Sequence, residues 1–108
     1  MRIHDMYRAS SWFEVLETTR QTQSAVMKLE PGQESGPKGN EHPESDQVLI
    51  VLEGEVTAEI GNESAVLGAG QTVTVPAGAS HRFVNNGKVA ALTFNVYAPP
   101  AYDKDERG

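Results

Sequence analysis

Residues 70–85 decide the fold of this chain, and they read GQTVTVPAGASHRFVN. Within them, residues 71–75 alternate polar and apolar side chains, which is typical of a strand with one buried face. Pro76 and Gly78 favour a turn, because proline presets one backbone angle and glycine permits the left-handed conformation. Residues 81–84 then resume as a short strand that ends at an Asn-Asn-Gly turn. The stretch therefore predicts a strand, a tight turn and a second strand that begins with a histidine.

The same alternation of strands and turns extends over nearly the whole chain. Short apolar or alternating runs are separated by Gly, Pro and Asn at a spacing of about eight to twelve residues, as in all-β sandwiches and barrels. No segment shows the periodicity of an amphipathic helix, so we predict none. The predicted strands lie at residues 12–17, 24–29, 47–52, 56–60, 65–67, 71–75, 81–84 and 90–97. The predicted fold class is therefore all-β.

The length and composition of the chain exclude several classes of protein. Its 108 residues fit one domain, so we predict a single domain over residues 1–108 with a frayed, charged tail at 103–108. The absence of cysteine excludes disulfides and thiolate zinc sites and favours a cytoplasmic location. A net charge of −6 disfavours binding to nucleic acid, and no apolar stretch is long enough to span a membrane. We therefore expect neither a nucleic acid nor a membrane as a partner.

The longest predicted loop covers residues 32–44 and is dominated by Gly, Pro, Ser, Glu and Asn. A long loop in a compact domain is usually functional or disordered. In extended chain, Asn40 and His42 share a face because they are two residues apart. Gln47 lies an odd number of residues further on, so we expect a turn or bulge around Pro43 to reset the register.

The stretch quoted first resembles the second motif of the cupin family. That motif reads Gly, five residues, Pro, one residue, Gly, two residues, His, three residues, Asn. The residues that fill its fixed positions here are Gly70, Pro76, Gly78, His81 and Asn85.

Residues 40–54 resemble the first cupin motif less completely. When the last Gly of that motif is aligned on Gly54, its second His falls on His42. Gln47 then stands at the position of the usual Glu, and Asn40 at that of the first His. The opening Gly is not matched, since its place is taken by Glu34.

The resemblance implies a double-stranded β-helix, the jelly-roll barrel of the cupins, with the first motif at about 40–54 and the second at about 70–85. It also implies a divalent transition metal, which in this family can be zinc, manganese, iron or nickel. The residues implied as metal ligands are His42, Gln47, His81 and Asn40. The residues expected to line the ligand pocket are Phe83, Tyr97 and Glu41. Because Gln47 is neutral, we expect weaker metal binding than with the family's usual glutamate.

Two functions follow as hypotheses. The first is a pocket that binds a divalent metal and a small organic ligand. The second is a metal-free module that binds a sugar or a small organic acid without catalysis, which the two amide side chains at positions 40 and 47 favour. Whether the chain is an enzyme stays open, and isomerase, oxygenase or lyase chemistry is suggested only by analogy with the family. The family also implies a homodimer formed through strand exchange or sheet packing.

Structural explanations of the same residues stand beside these hypotheses. His42 can be a solvated loop residue, and His81 a packed histidine that bonds a carbonyl group. Gln47 can satisfy a backbone group at the edge of the core, and Asn40 can be an ordinary turn residue. For Asn85 we predict a structural role in a turn. The residues that we expect to make turns are Gly54, Gly70, Pro76 and Gly78.

Overall fold

The computed structural model describes residues 1–39 and 42–102. Asn40, Glu41 and the tail at 103–108, for which fraying was predicted, lie outside the described residues. In the described part the chain is built from strands, which confirms the all-β prediction. The strands are β1 (Phe13–Thr18), β2 (Gln23–Leu29), β3 (Asp46–Glu53), β4 (Glu55–Ile60), β5 (Glu63–Gly68), β6 (Thr72–Val75), β7 (His81–Val84) and β8 (Ala91–Ala98).

The predicted strands all correspond to observed ones, with ends that differ by at most two residues. One element was not predicted, a single turn of 3-10 helix at Met6–Arg8. Asp5 caps this turn, since its side-chain Oδ1 accepts a hydrogen bond of 2.9 Å from the backbone N–H of Tyr7. A turn this short has no periodicity in sequence, which is why the pattern did not indicate it. Within the described ranges, no helix is long and apolar enough to cross a membrane.

The strands form two antiparallel sheets. One has five strands in the order β1-β2-β8-β3-β6, and the other has three in the order β5-β4-β7. The long loop expected to lack regular structure is partly paired, because Glu34 bridges to Val84 and Gly39 bridges to His81 on β7. These bridges extend the smaller sheet, and they hold the loop beside the end of the barrel where β7 begins.

The apolar core lies between the two sheets, as the alternation of the strands predicts. The buried core cluster contains Phe13, Ala25, Met27, Leu29, Leu49, Val51, Val56, Ala58, Leu67, Val75, Phe83, Ala91 and Tyr97. Several polar side chains are also buried at inward positions of the large sheet. Those on β2, β3 and β8 are Gln23, Gln47, Thr93 and Asn95. Since a buried polar group is costly unless it is hydrogen-bonded, each of these residues needs a partner.

The N-terminal segment is attached to the outside of β1 by charged groups. The side chain of Glu17 accepts hydrogen bonds from Arg2 Nε at 2.7 Å and from the His4 ring at 3.0 Å. The hydrogen bond from Arg2, followed by that from His4, lowers the pKa of Glu17 to about 2. These contacts hold the N-terminal segment against β1.

Candidate functional site

Four of the residues singled out in the sequence come together at one end of the barrel. Gln47 and Tyr97 are paired across β3 and β8, and His81 is the first residue of β7. Between ring centroids, His42 lies 4.5 Å from His81 and 5.3 Å from Tyr97. His42 and His81 are only 3% and 8% exposed. The fold thus holds two imidazole rings side by side in a largely solvent-excluded position.

A turn after His42 aims its ring at Gln47. The backbone N–H of Ser45 donates to the carbonyl of His42 at 3.1 Å, which closes a turn over Pro43 and Glu44. This turn resets the register before β3, so His42 and Gln47 meet although they are an odd number of residues apart. The His42 Nε2 and the Gln47 Oε1 are 2.8 Å apart.

A chain of buried amide groups fixes the orientation of Gln47. Its Nε2 donates to Asn95 Oδ1 at 2.9 Å, and Asn95 Nδ2 donates to Thr93 Oγ1 at 3.0 Å. The Thr93 hydroxyl in turn donates to the carbonyl of Met27 at 3.0 Å. Because a carbonyl can only accept, the polarity of the whole chain follows from its last bond. Gln47 is therefore left with its oxygen, Oε1, facing His42.

Both histidines have their other ring nitrogen against a backbone carbonyl. His42 Nδ1 lies 2.9 Å from the carbonyl of Ser45, and His81 Nδ1 lies 3.0 Å from that of Ala79. Since a carbonyl oxygen is an acceptor, each Nδ1 must carry the proton. In a neutral imidazole the lone pair then lies on Nε2, which is the arrangement that orients histidine ligands of metal ions.

The contact between His42 and Gln47 brings two electron-pair donors close together. With the Nδ1 proton directed at the Ser45 carbonyl, the Nε2 lone pair of His42 faces the oxygen of Gln47 at 2.8 Å. A metal ion bound by both atoms would remove the repulsion between them. The arrangement is thus one that can bind a cation through both atoms.

A small cavity lies beside these residues at the mouth of the barrel. Its residues are Trp12, Phe13, Met27, Ser35, Gln47, His81, Phe83, Tyr97 and Tyr102. The free space that it encloses is about 20 Å³, which is enough for about one water molecule. Aromatic rings therefore surround a narrow opening whose floor is polar.

The side chains present fit a divalent transition metal, although they do not match the family's usual ligand set. Among residues 1–39 and 42–102, no group of three or more His, Cys, Asp or Glu side chains could hold a metal ion. The set that the structure does bring together is two imidazoles and one amide oxygen. Imidazole is a good ligand for zinc, iron and nickel, and an amide oxygen suits harder ions such as manganese. The set lacks a negative charge, so it favours weaker binding.

Of the residues predicted for the site, Phe83 and Tyr97 line the cavity with Gln47 and His81, and His42 packs behind them. Asn40 and Glu41 lie outside the described residues. Sequence reasoning did not identify the four further residues Gln23, Thr93, Asn95 and Tyr102. A signal existed for Thr93 and Asn95, which are polar residues at alternate positions of an otherwise apolar strand. Tyr102 had no local signal, because it follows two prolines outside any strand.

Comparison with known proteins supports the fold. A family model described as "Cupin domain" matches residues 25–97, which is more than half of the chain. The structure of TT1209 from Thermus thermophilus is 32% identical with a TM-score of 0.81, over 92% of this chain and 98% of that one. That of BH2720 from Bacillus halodurans is 25% identical with a TM-score of 0.83, over 91% and 77%.

A third similar structure has an activity in its name. It is a sugar phosphate isomerase from a cupin superfamily, from Silicibacter pomeroyi, 28% identical with a TM-score of 0.66, over 72% of this chain and 50% of that one. A search of curated proteins found no match. With the family model over most of the barrel, both motifs and these structural matches, the chain belongs to the cupin family.

Proposed function

We propose that this cupin binds a divalent transition metal through His42, Gln47 and His81, and that the metal and the aromatic mouth together hold a small organic ligand. The observation that supports the proposal is the pair of Nδ1–carbonyl contacts, at 2.9 and 3.0 Å, which orient both imidazoles for binding through Nε2. Gln47 contributes an oxygen next to one of them. Asn40 stays a proposed fourth ligand or ligand contact.

A metal held there would polarise a carbonyl or carboxylate group of the ligand and fix its orientation. The chain's own residues would act around it. The amide chain holds Gln47 in one orientation, and the rings of Phe83 and Tyr97 restrict water around the polar floor. The similarity to a sugar phosphate isomerase supports a small polar organic ligand. Isomerase, oxygenase or lyase activity is an analogy with the family and is not part of this proposal.

Metal-free binding of a sugar or a small organic acid is the second candidate. The amide chain favours it, because the hydrogen bonds from Gln47 through Asn95 and Thr93 to the Met27 carbonyl are all made without a metal. A polar floor under aromatic rings is also a common arrangement for binding a small molecule directly.

Elemental analysis of the untagged protein, purified without chelators, tests the two candidates. We expect about one equivalent of a first-row divalent metal per chain. In the His42→Ala and His81→Ala variants we expect the affinity for Zn²⁺ or Mn²⁺, measured by titration calorimetry, to fall at least about a hundredfold, since each loses a ligand. The matched control is His4→Ala, because His4 lies on the exposed N-terminal segment and pairs with Glu17.

A Gln47→Glu variant tests the same metal site by a change that should strengthen metal binding. A carboxylate would offset the charge of the cation, so metal affinity should rise at least about tenfold, which requires only about 1.4 kcal/mol. To accept the carboxylate, Asn95 must turn over so that its Nδ2 donates to the new carboxylate, and the Thr93 hydroxyl must then donate to Asn95 Oδ1 in place of the Met27 carbonyl. Equal metal affinity in the wild type and the three histidine variants would contradict the metal site. Metal-free protein that is stabilised by small organic acids in thermal-shift assays would then favour the second candidate.

We also propose that two copies associate through the outer face of the five-stranded sheet. On that face β3 and β8 pair Val48 with Val96 and Ile50 with Phe94, and all four side chains are half-buried and apolar. Light scattering after size exclusion should give the mass of a dimer, and an Ile50→Glu variant should give that of a monomer. A monomeric wild type at high concentration would refute the dimer.

We also propose a cytoplasmic location, which the absence of cysteine favours.

A further inference from the structure

The segment that follows β8 returns across the mouth of the barrel. We call residues 99–102 the C-terminal strap. Its end is bound by Gln23, an inward residue of β2 with 0% exposure. Gln23 Oε1 accepts from the backbone N–H groups of Ala101 at 3.1 Å and Tyr102 at 2.9 Å. Its Nε2 donates to the carbonyl of Tyr102 at 2.7 Å and to Thr18 Oγ1 at 3.0 Å.

One buried amide therefore makes three hydrogen bonds to the backbone of two consecutive residues. This replaces the pairing that a neighbouring strand would supply, and it uses both N–H donors and both acceptor sites of the Gln23 side chain. A leucine at this position would fill a similar volume without holding the strap. A buried polar side chain is costly unless it is hydrogen-bonded, and the backbone of the strap supplies most of the hydrogen-bond partners of Gln23.

The strap places the ring of Tyr102 over the cavity. The centroid of that ring lies 5.2 Å from that of Tyr97 and 5.1 Å from that of Phe13, both in edge-to-face geometry. All three residues line the cavity that contains Gln47 and His81. The Tyr102 ring thus forms one wall of the cavity, which we call its roof, and it packs against the rings of Phe13 and Tyr97.

With the roof in place, the cavity is too small for an organic molecule. Its free space is about 20 Å³, whereas pockets for small-molecule ligands measure about 300 to 1,000 Å³. A water molecule or a bare ion can be accommodated in such a space, but a sugar or an organic acid cannot. Some part of the wall must move before a ligand of the proposed class can enter.

We infer that Tyr102 sets the size of the molecule that this pocket admits, and that Gln23 is the positioning residue that keeps Tyr102 closed. The inference deepens the proposed function, since it assumes that this pocket is the binding site. Ligand entry requires release of the strap, whereas an ion reaches its site without it. The strap is the moving part because a single side chain, that of Gln23, makes three hydrogen bonds to its backbone at Ala101 and Tyr102.

The rate of histidine modification by diethyl pyrocarbonate tests this inference, since the reagent is far larger than the closed cavity. The chain has three histidines, and mass spectrometry reads each one separately. In chelator-treated wild type we expect His4 to react fast and His81 and His42 slowly. In Gln23→Leu and in Tyr102→Ala the initial rate at His81 should rise about tenfold, because local opening limits access to a buried group, while the rate at His4 stays unchanged.

Gln71→Leu is the matched control, because Gln71 Oε1 also accepts a backbone N–H, that of Gly68 at 2.8 Å, far from the mouth. The Gln71→Leu variant should change neither the modification rate at His81 nor that at His4. Tyr102→Ala keeps the backbone bonds to Gln23, so it tests the roof even if Gln23→Leu folds poorly. An unchanged His81 rate in Tyr102→Ala would overturn the inference. The assay uses no metal and no ligand, so its outcome is independent of whether the metal proposal survives.

Discussion

A Gly54→Ala variant is expected to lose about 3–5 kcal/mol of unfolding free energy, which is a large share of the stability of a small domain. Gly54 links β3 to β4 with a φ of +74°, and a Cβ there would lie 2.6 Å from the carbonyl oxygen of Ala90 and 3.0 Å from Ala91 Cα. Both contacts are to backbone at the start of β8, so no side chain can move to relieve them. Urea unfolding followed by circular dichroism measures the loss.

Gly61→Ala is the control for the backbone angle alone. Gly61 also has a positive φ, +58°, but a Cβ at this position meets no atom within 4 Å. We expect it to cost about 1–2 kcal/mol, the usual penalty for a side chain in the left-handed conformation. If the two variants lose the same stability, the close approach of Ala90 is not what requires glycine at position 54.

An Asn85→Ala variant is expected to lose about 3–4 kcal/mol, because it removes three hydrogen bonds of a buried side chain and leaves one fully buried carbonyl without that partner. The Asn85 side chain is 0% exposed. Its Nδ2 donates to the carbonyls of Leu29 at 2.9 Å and Val89 at 2.8 Å, and its Oδ1 accepts from Gly87 N at 2.8 Å. Removing it frees two carbonyls and one N–H at the point where the end of β2 meets the β7–β8 turn. The same urea titration measures this loss.

The neighbouring residue supplies the comparison for Asn85. Asn86 is exposed and donates one hydrogen bond, to Thr57 Oγ1 at 3.1 Å. Asn86→Ala should therefore cost less than about 1 kcal/mol, since water can replace the lost partner. A loss in Asn85→Ala no larger than in Asn86→Ala would show that the buried bonds are not needed for stability.

Gly54 and Asn85 are the last fixed residues of the two cupin motifs. Both stabilise the fold and do not take part in the proposed metal site. The sequence predicts this for both, because glycine and Asn-Asn-Gly are turn signals. What it does not predict is the reason for each. Gly54 is required because the start of β8 passes close by, and Asn85 because it bonds a strand 56 residues earlier in the chain. Motif spacing thus identified the two residues, while the contacts between distant strands explain why each is needed.

The prediction of the site was correspondingly uneven. The motifs led to His42, Gln47 and His81, which the structure holds together, and the turn expected near Pro43 is present. Asn95 and Gln23 were missed, although the first supports Gln47 and the second closes the mouth. Their partners lie 48 and 79 residues away in the chain. No local pattern indicates such pairs.

By itself, the sequence determined the strands, the turns and the family of this protein. These depend on alternation over a few residues and on the backbone preferences of glycine, proline and asparagine, which act locally. Only the tertiary structure decided which polar residues face inward and what they bond. Alternation shows that Thr93, Asn95 and Tyr97 share one face of β8, but the face that is buried and the residues opposite it follow from the register with β2 and β3. The orientation of Gln47 and the closure of the mouth by Tyr102 come from that register, because hydrogen bonds between distant strands exist only once those strands are paired.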